Sequence, residues 1–149
     1  MGVLEVMISL LDEGLSGPRY ANEGDAVCDL FAREGVLLEP RGGRALIPTG
    51  VVIALPEGYA GFVQPRSGLA LHHGVTCLNS PGLIDAGYRG EIKVLLVNTD
   101  PVAPFEISRG DRIAQLVIQQ VAHAAFTVVA QDKLPASTRG NEGFGSSGR

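Results

Sequence analysis

The chain contains no tryptophan, and only 5% of its residues are aromatic. Its core must therefore be packed from aliphatic side chains rather than from a few large rings. It has just two cysteines, Cys28 and Cys77, far apart and outside any CxxC pair. That excludes a disulfide scaffold and a zinc ribbon, and each thiol reads as a small apolar residue. His73 and Cys77, with His72 beside them, have a ligand-like spacing but lack the three or four convergent donors a zinc site needs. Charge is sparse at 19% and the net charge is −4, so the dense basic surface of a sequence-independent nucleic-acid binder is missing. Apolar runs such as Val51–Leu55 fall far short of the ~20 residues that span a bilayer. Near the N-terminus stands Glu5 where a signal peptide would be basic, and Val6 where a myristoylation signal has Ser or Thr. These absences lead to the expectation of a cytoplasmic chain with neither membrane nor nucleic acid as partner.

What is present is glycine and proline, 20 and 9 in 149 residues. That length fits one domain, and the 45% hydrophobic content suffices for a core. Short β-branched and aliphatic runs alternate with turn signals: Val3–Leu11, Arg44–Ile47, Val51–Leu55, Tyr59–Gln64, Glu91–Asn98, Arg112–Gln119 and Phe126–Ala130. Pro48-Thr49-Gly50, Pro56-Glu57-Gly58, Asn98–Pro101 and Arg109-Gly110-Asp111 punctuate them. Helix is scarce, with Ser67–His73 as the one short candidate, ended by Gly74. The pattern predicts an all-β sandwich, jelly roll or small barrel, whose edges an oligomer could cover. Residues 135–149 depart from the rest. They are rich in Gly and Ser and carry one large apolar side chain, Phe144, so they cannot order themselves by burial.

Four segments carry candidate chemistry. Pro65-Arg66-Ser67-Gly68-Leu69-Ala70 leaves a strand for a short helical turn and offers a guanidinium, a hydroxyl and backbone N–H groups to an anion. Its structural alternative is a turn capped by Ser67. Asn79–Glu91 threads an amide, two acids, a phenol and a guanidinium through glycines. Within it, Asp85 follows Leu83-Ile84, so that its carboxylate is expected at the lip of a partly desolvated pocket, as a general base requires. The plainer reading of Asp85 is a turn former. Arg109–Leu116 is a turn into a strand, with an anion-binding reading set against a local Asp–Arg surface pair. Arg139, Phe144, Ser146 and Ser147 in the tail combine phosphate donors with a face on which a base can stack, although the Walker ending is missing. Arg66, Arg89, Arg109, Arg112 and Arg139 fall in or beside these segments, which in an acidic chain favours a local anion site.

Together with Ala26-Val27-Cys28-Asp29-Leu30, these segments make five motifs in the order found in homotrimeric deoxyuridine 5′-triphosphate nucleotidohydrolases, the dUTPase family, which the chain resembles over nearly its whole length. The resemblance implies a single-domain β jelly roll, a distorted barrel over residues 1–134, with a flexible phosphate-binding flap at 135–149. It implies a trimer with sites shared between subunits, and hydrolysis of dUTP to dUMP and pyrophosphate. That activity keeps uracil out of DNA and supplies dUMP for dTMP synthesis. By the same analogy uracil enters a hairpin pocket formed by Asn79 and the Gly82, Leu83, Ile84 and Asp85 backbone near Lys93, and Tyr88 excludes a 2′-hydroxyl. Arg66, Ser67, Gly68 and Gln115 hold phosphates. The flap of a neighbouring subunit brings Arg139, Phe144, Gly145, Ser146 and Ser147, while Asp85 activates the attacking water. Mg²⁺ rides on the triphosphate, with Asp29 reached through a coordinated water. Two positions depart from the family pattern: Val27 and Glu142 stand where glycine is usual. A dCTP deaminase of similar fold is the nearest rival, but its usual Trp at the Tyr88 position is missing; a non-catalytic dUTP-binding trimer is a second rival.

Overall fold

The structure, a computed structural model, describes residues 2–148. Met1 and Arg149, the last residue of the expected flap, lie outside the described residues. In chain order the elements are β1 (Met7–Leu10), β2 (Cys28–Phe31), β3 (Val36–Leu38), β4 (Gly43–Pro48), β5 (Val51–Ala54), β6 (Tyr59–Gln64), α1 (Ser67–His73), β7 (Val75–Cys77), β8 (Gly82–Ile84), β9 (Lys93–Asn98), β10 (Phe105–Ile107) and β11 (Arg112–Gln120). Every pairing is antiparallel. The strands form four sheets, in the orders β2-β11-β6-β8, β4-β9-β7, β1-β5 and β3-β10. None closes on itself, so the all-β jelly-roll reading holds but the barrel does not. Closure requires each strand to be paired on both sides, whereas β2 and β8 end one sheet and β4 and β7 another.

Period-two alternation places the core. In β5 the residues Val51 and Ile53 are buried and Val52 and Ala54 less so. The run through β9 begins exposed at Lys93 and ends wholly buried at Leu96-Val97-Asn98, as its shift from alternating to continuous apolar residues predicts. Leu30, Leu38, Ile47, Val51, Val75, Val94, Leu96, Ile107, Ile113 and Leu116 are almost fully buried. Each such branched side chain contributes roughly 1.5–3 kcal/mol on leaving water. Asn98 is buried in this core with its amide saturated: Nδ2 donates to the Leu38 and Ala103 carbonyls at 3.1 and 2.9 Å, and Oδ1 accepts the Asp100 N–H at 2.9 Å. Cys28 and Cys77 are buried and unbridged, and burial pushes the Cys77 thiol up to about 11.

Two expectations change. Ser67 does not cap α1: the N-cap is Arg66, and no side chain bonds there. The C-terminal end is as expected, with Gly74 at φ 64 closing the helix onto the Ala70 and Leu69 carbonyls. Phe126–Ala130 forms no strand; the segment is exposed throughout, with Phe126 and Val128 at 93% and 96% exposure. An extended segment becomes a strand only when a neighbour accepts its backbone hydrogen bonds, and among the described residues no strand pairs with it. Among the described residues, no helix is long and apolar enough to cross a membrane.

Candidate active site

The expected base-binding residues converge. Short β8 pairs with β6 over only Gly61↔Ile84, Phe62↔Leu83 and Val63↔Gly82. The chain then reverses, the Tyr88 N–H donating to the Asp85 carbonyl at 3.0 Å. Asn79, Gly82, Leu83, Ile84, Tyr88 and Lys93 thereby line one cavity of about 570 Å³, closed by aliphatic Leu46, Val63 and Leu95. An apolar floor with a few placed polar groups suits a flat heterocycle. Tyr88 is fixed at the mouth. Its hydroxyl donates to the Glu91 carbonyl at 3.0 Å, and its ring lies on Gly90, where any Cβ would overlap the ring and hydroxyl.

A second group gathers where β2, β11 and β6 run side by side. Their register sets Asp29 opposite Gln115 and Gln115 opposite Gln64, two residues before Arg66. Asp29 is buried between two guanidinium groups, 3.9 Å from Arg66 Nε and 3.7 Å from Arg112 Nε. Arg66 Nη1 donates to the Arg112 carbonyl at 3.1 Å. Ser67 and Gly68 follow in the first turn of α1, whose leading N–H groups have no carbonyl a turn earlier to bond. A Cβ on Gly68 would meet nothing within 4 Å, so the turn faces open space. Arg112 counted among the clustered arginines but had no role of its own; its placement at the strand's start, opposite Phe31 in β2, is visible only in the register.

Asp85 lies elsewhere than expected. It is exposed, not partly desolvated, and lines an adjacent cleft of about 520 Å³ with Glu57, Tyr59 and His123. The turn presents Asp85 to solvent. The tail residues do not join either group. Arg139 Nε donates to the Glu142 carbonyl at 2.9 Å, the Ser146 N–H donates to the Gly143 carbonyl, and Phe144 stands fully exposed at φ 50 beside Gly145 at φ 90. Arg109 also leaves the anion reading, and its partner is not Asp111 but Asp12, at 2.8 Å through Nη2. Asp111 instead accepts the Ser108 N–H, closing its own turn. Arg89 donates to the Ala86 and Tyr88 carbonyls and so braces the Asp85 turn. No three His, Cys, Asp or Glu side chains cluster as a metal cage among the described residues.

The dUTPase family profile matches residues 15–148. The chain belongs to the dUTPase family. It is 58% identical to a deoxyuridine 5′-triphosphate nucleotidohydrolase of Thermobifida fusca over 147 residues, 99% of this chain and 80% of that one. A relative of the same description from Leifsonia xyli is 60% identical over 131 residues, 88% of this chain and 84% of that one. Among solved structures, the dUTPase of Staphylococcus bacteriophage 80alpha with dUpNHpp superposes with a TM-score of 0.89 at 30% identity, covering 97% and 99% of the two chains. A mutant dUTPase from phage phi11 of S. aureus, described with a structural Mg(II) ion, superposes at 0.80 with 27% identity, covering 87% and 99%.

Within a dUTPase frame the two departures become concrete. Val27 is half-buried immediately before β2, two residues from Asp29. Glu142 does not have a positive φ, so its side chain imposes no left-handed strain where the dUTPase pattern has glycine. For Mg²⁺, which keeps several waters and binds one or two carboxylates plus substrate phosphates, the donor set fits an ion carried by a nucleotide. Asp29 is the one buried carboxylate beside Arg66 and Gln115.

Proposed function

We propose that the chain hydrolyses dUTP to dUMP and pyrophosphate. The observation that carries this reading is a hairpin pocket gated by Tyr88 in a dUTPase-family chain that also presents the Arg66-Ser67-Gly68 turn beside Gln115 and Asp29. Uracil enters between Asn79 and the Gly82–Asp85 backbone, which offers it donors and acceptors, with Lys93 at the rim. Tyr88 lies beneath the deoxyribose and leaves no room for a 2′-hydroxyl. The Arg66 guanidinium, Ser67 hydroxyl, Gly68 N–H and Gln115 amide hold the phosphates. Asp85 orients a water and takes its proton as the oxygen attacks the α-phosphorus. The bond from that phosphorus to the bridging oxygen breaks, and the electron pair leaves with pyrophosphate. A magnesium ion, when bound, neutralises phosphate charge, and Asp29 would reach it through water.

The active unit in this reading is a homotrimer. Two features support it: the exposed, unpaired apolar segment around Phe126 and Val128, and a tail whose polar groups bond only within the tail. A neighbouring subunit supplies the missing cover over Asp85, and the 135–149 flap lays Arg139, Ser146 and Ser147 on the γ-phosphate and Phe144 on uracil. The chain then acts in the cytoplasm on the nucleotide pool, without nucleic-acid or membrane contact. The test is pyrophosphate release from dUTP, dTTP, dCTP and UTP, with and without Mg²⁺. Strong preference for dUTP is expected; ammonia release from dCTP would instead indicate deamination. In oxygen-18 water the label is expected in dUMP, and label in pyrophosphate would refute attack at the α-phosphorus.

A further inference from the structure

Behind the hairpin runs a chain of four charged side chains, Glu91, Arg33, Asp12 and Arg109, that bond to one another and to backbone. Glu91 Oε1 accepts the Gly50 N–H at 3.1 Å and Arg33 Nη1 at 3.2 Å. Arg33 Nε lies 3.4 Å from Asp12 Oδ2, and Arg33 Nη2 donates to the Leu11 carbonyl at 3.3 Å. Arg109 grips Asp12 with both terminal nitrogens and donates from Nη1 to the Arg33 carbonyl at 2.9 Å. The Glu91 and Asp12 side chains are only 15% and 19% exposed. Gly50, at φ 72, is required here, because a Cβ would come within 3.3 Å of the Asp12 Cβ in a left-handed backbone. Next door, the Thr49 hydroxyl donates to the Ile92 carbonyl at 2.6 Å, and the Ile92 N–H donates to Val51 at 2.8 Å. The outgoing end of the hairpin is thus locked to the β4–β5 turn.

The backbone carbonyl of the same Glu91 accepts the Tyr88 hydroxyl. We infer that Glu91 is a positioning residue for sugar discrimination: its carboxylate, held by Gly50 and by the Arg33–Asp12–Arg109 chain, fixes the carbonyl that aims Tyr88 over Gly90. Ion pairs this close to solvent stabilise folding little. Their contribution is geometric, because an ångström of drift at Tyr88 opens the space that excludes a 2′-hydroxyl. A third cavity, of about 380 Å³, shares Leu46, Glu91 and Lys93 with the hairpin cavity, so open space lies on the far side of Glu91.

The inference rests on the dUTPase reading of the site, and the experiment separates the two. Kinetics with dUTP and UTP, and affinities for dUMP and UMP, are measured on the wild-type chain, Glu91→Gln and Asp12→Asn, with melting temperatures alongside. Glu91→Gln is expected to lower the deoxy-to-ribo ratio of kcat/KM by about ten-fold or more, chiefly through a lower KM for UTP, while kcat for dUTP moves less. Asp12→Asn, remote from the pocket, shifts the ratio in the same direction by less. If both variants melt lower yet keep the wild-type ratio, the network is only structural and the inference fails. If Glu91→Gln does not fold, Asp12→Asn decides. A wild-type chain that releases no pyrophosphate from dUTP overturns the functional reading, and the dUMP-to-UMP affinity ratio across the variants then tests the positioning role by itself.

Discussion

The hairpin of residues 79–93 and the tail beyond residue 120 are opposites. The hairpin is over-determined: the bare Cα of Gly90 leaves the space the Tyr88 ring fills, the Glu91 carbonyl holds its hydroxyl, and Glu91 is pinned to two distant segments. The tail is under-determined: its described residues are exposed except for half-buried Gly143, and past the Val121 N–H on the Gly58 carbonyl their backbone bonds are local turns and a 3-10 turn at Gln131–Lys133. Selecting the base and sugar calls for a cavity that exists before the ligand arrives. Enclosing a triphosphate calls for a segment that can leave again. In the proposed mechanism the two regions divide recognition from closure, and variants in each should separate stability, affinity and rate.

The largest effect is expected at the junction between them. Asp85→Asn should keep nucleotide binding by the hairpin while turnover of dUTP falls at least about 10²-fold; single-turnover kinetics beside calorimetric titration distinguish the two. Ending the chain at Leu134 should also cut turnover, by on the order of 10²-fold for lost phosphate donors. Its melting temperature should move less than about 2 °C, since the tail buries nothing in the core. A large fall in stability would mean that the tail is part of the fold after all. Gly90→Ala displaces the Tyr88 ring and should raise KM for dUTP by about ten-fold with a smaller change in kcat; unchanged KM would show that the ring is not held by that contact.

The smallest effect concerns Asp12. Hydrogen bonding from Arg109 is the main cause that holds its carboxyl at about 2, below the ordinary 3.8. Because the folded value is the lower one, the stabilisation is complete above the unfolded value and is lost as pH falls from there through about 2. Asp12→Asn should therefore flatten the loss of stability between pH 4 and 2 without altering it at neutral pH beyond a constant offset, as urea midpoints would record.

The comparison also explains what could be read from the chain alone. The Tyr59–Gln64 strand and the Ser67–His73 helix have the bounds their turn residues indicate, because glycine and proline act locally. Short strands such as Val36–Leu38 and Phe105–Ile107 were not anticipated, since three residues carry too little periodicity. Phe126–Ala130 has the composition of a strand but no partner in its own chain, and composition does not supply one. Asn79, Gly82, Leu83, Ile84, Tyr88 and Lys93, which line one cavity, are near neighbours in sequence and so were legible as a set. The contacts of Glu91 were not, because Gly50 and Arg33 lie 41 and 58 residues away.

Cys28 sits in the four-stranded sheet and Cys77 in the three-stranded one, both buried, with burial raising each thiol above its ordinary range. Alkylating reagents react with exposed thiolate, so the native chain is expected to resist them at either buried position. Each sulfur becomes a chemical clock for the opening of its own sheet, and iodoacetamide uptake under native conditions would time the two halves of the core independently.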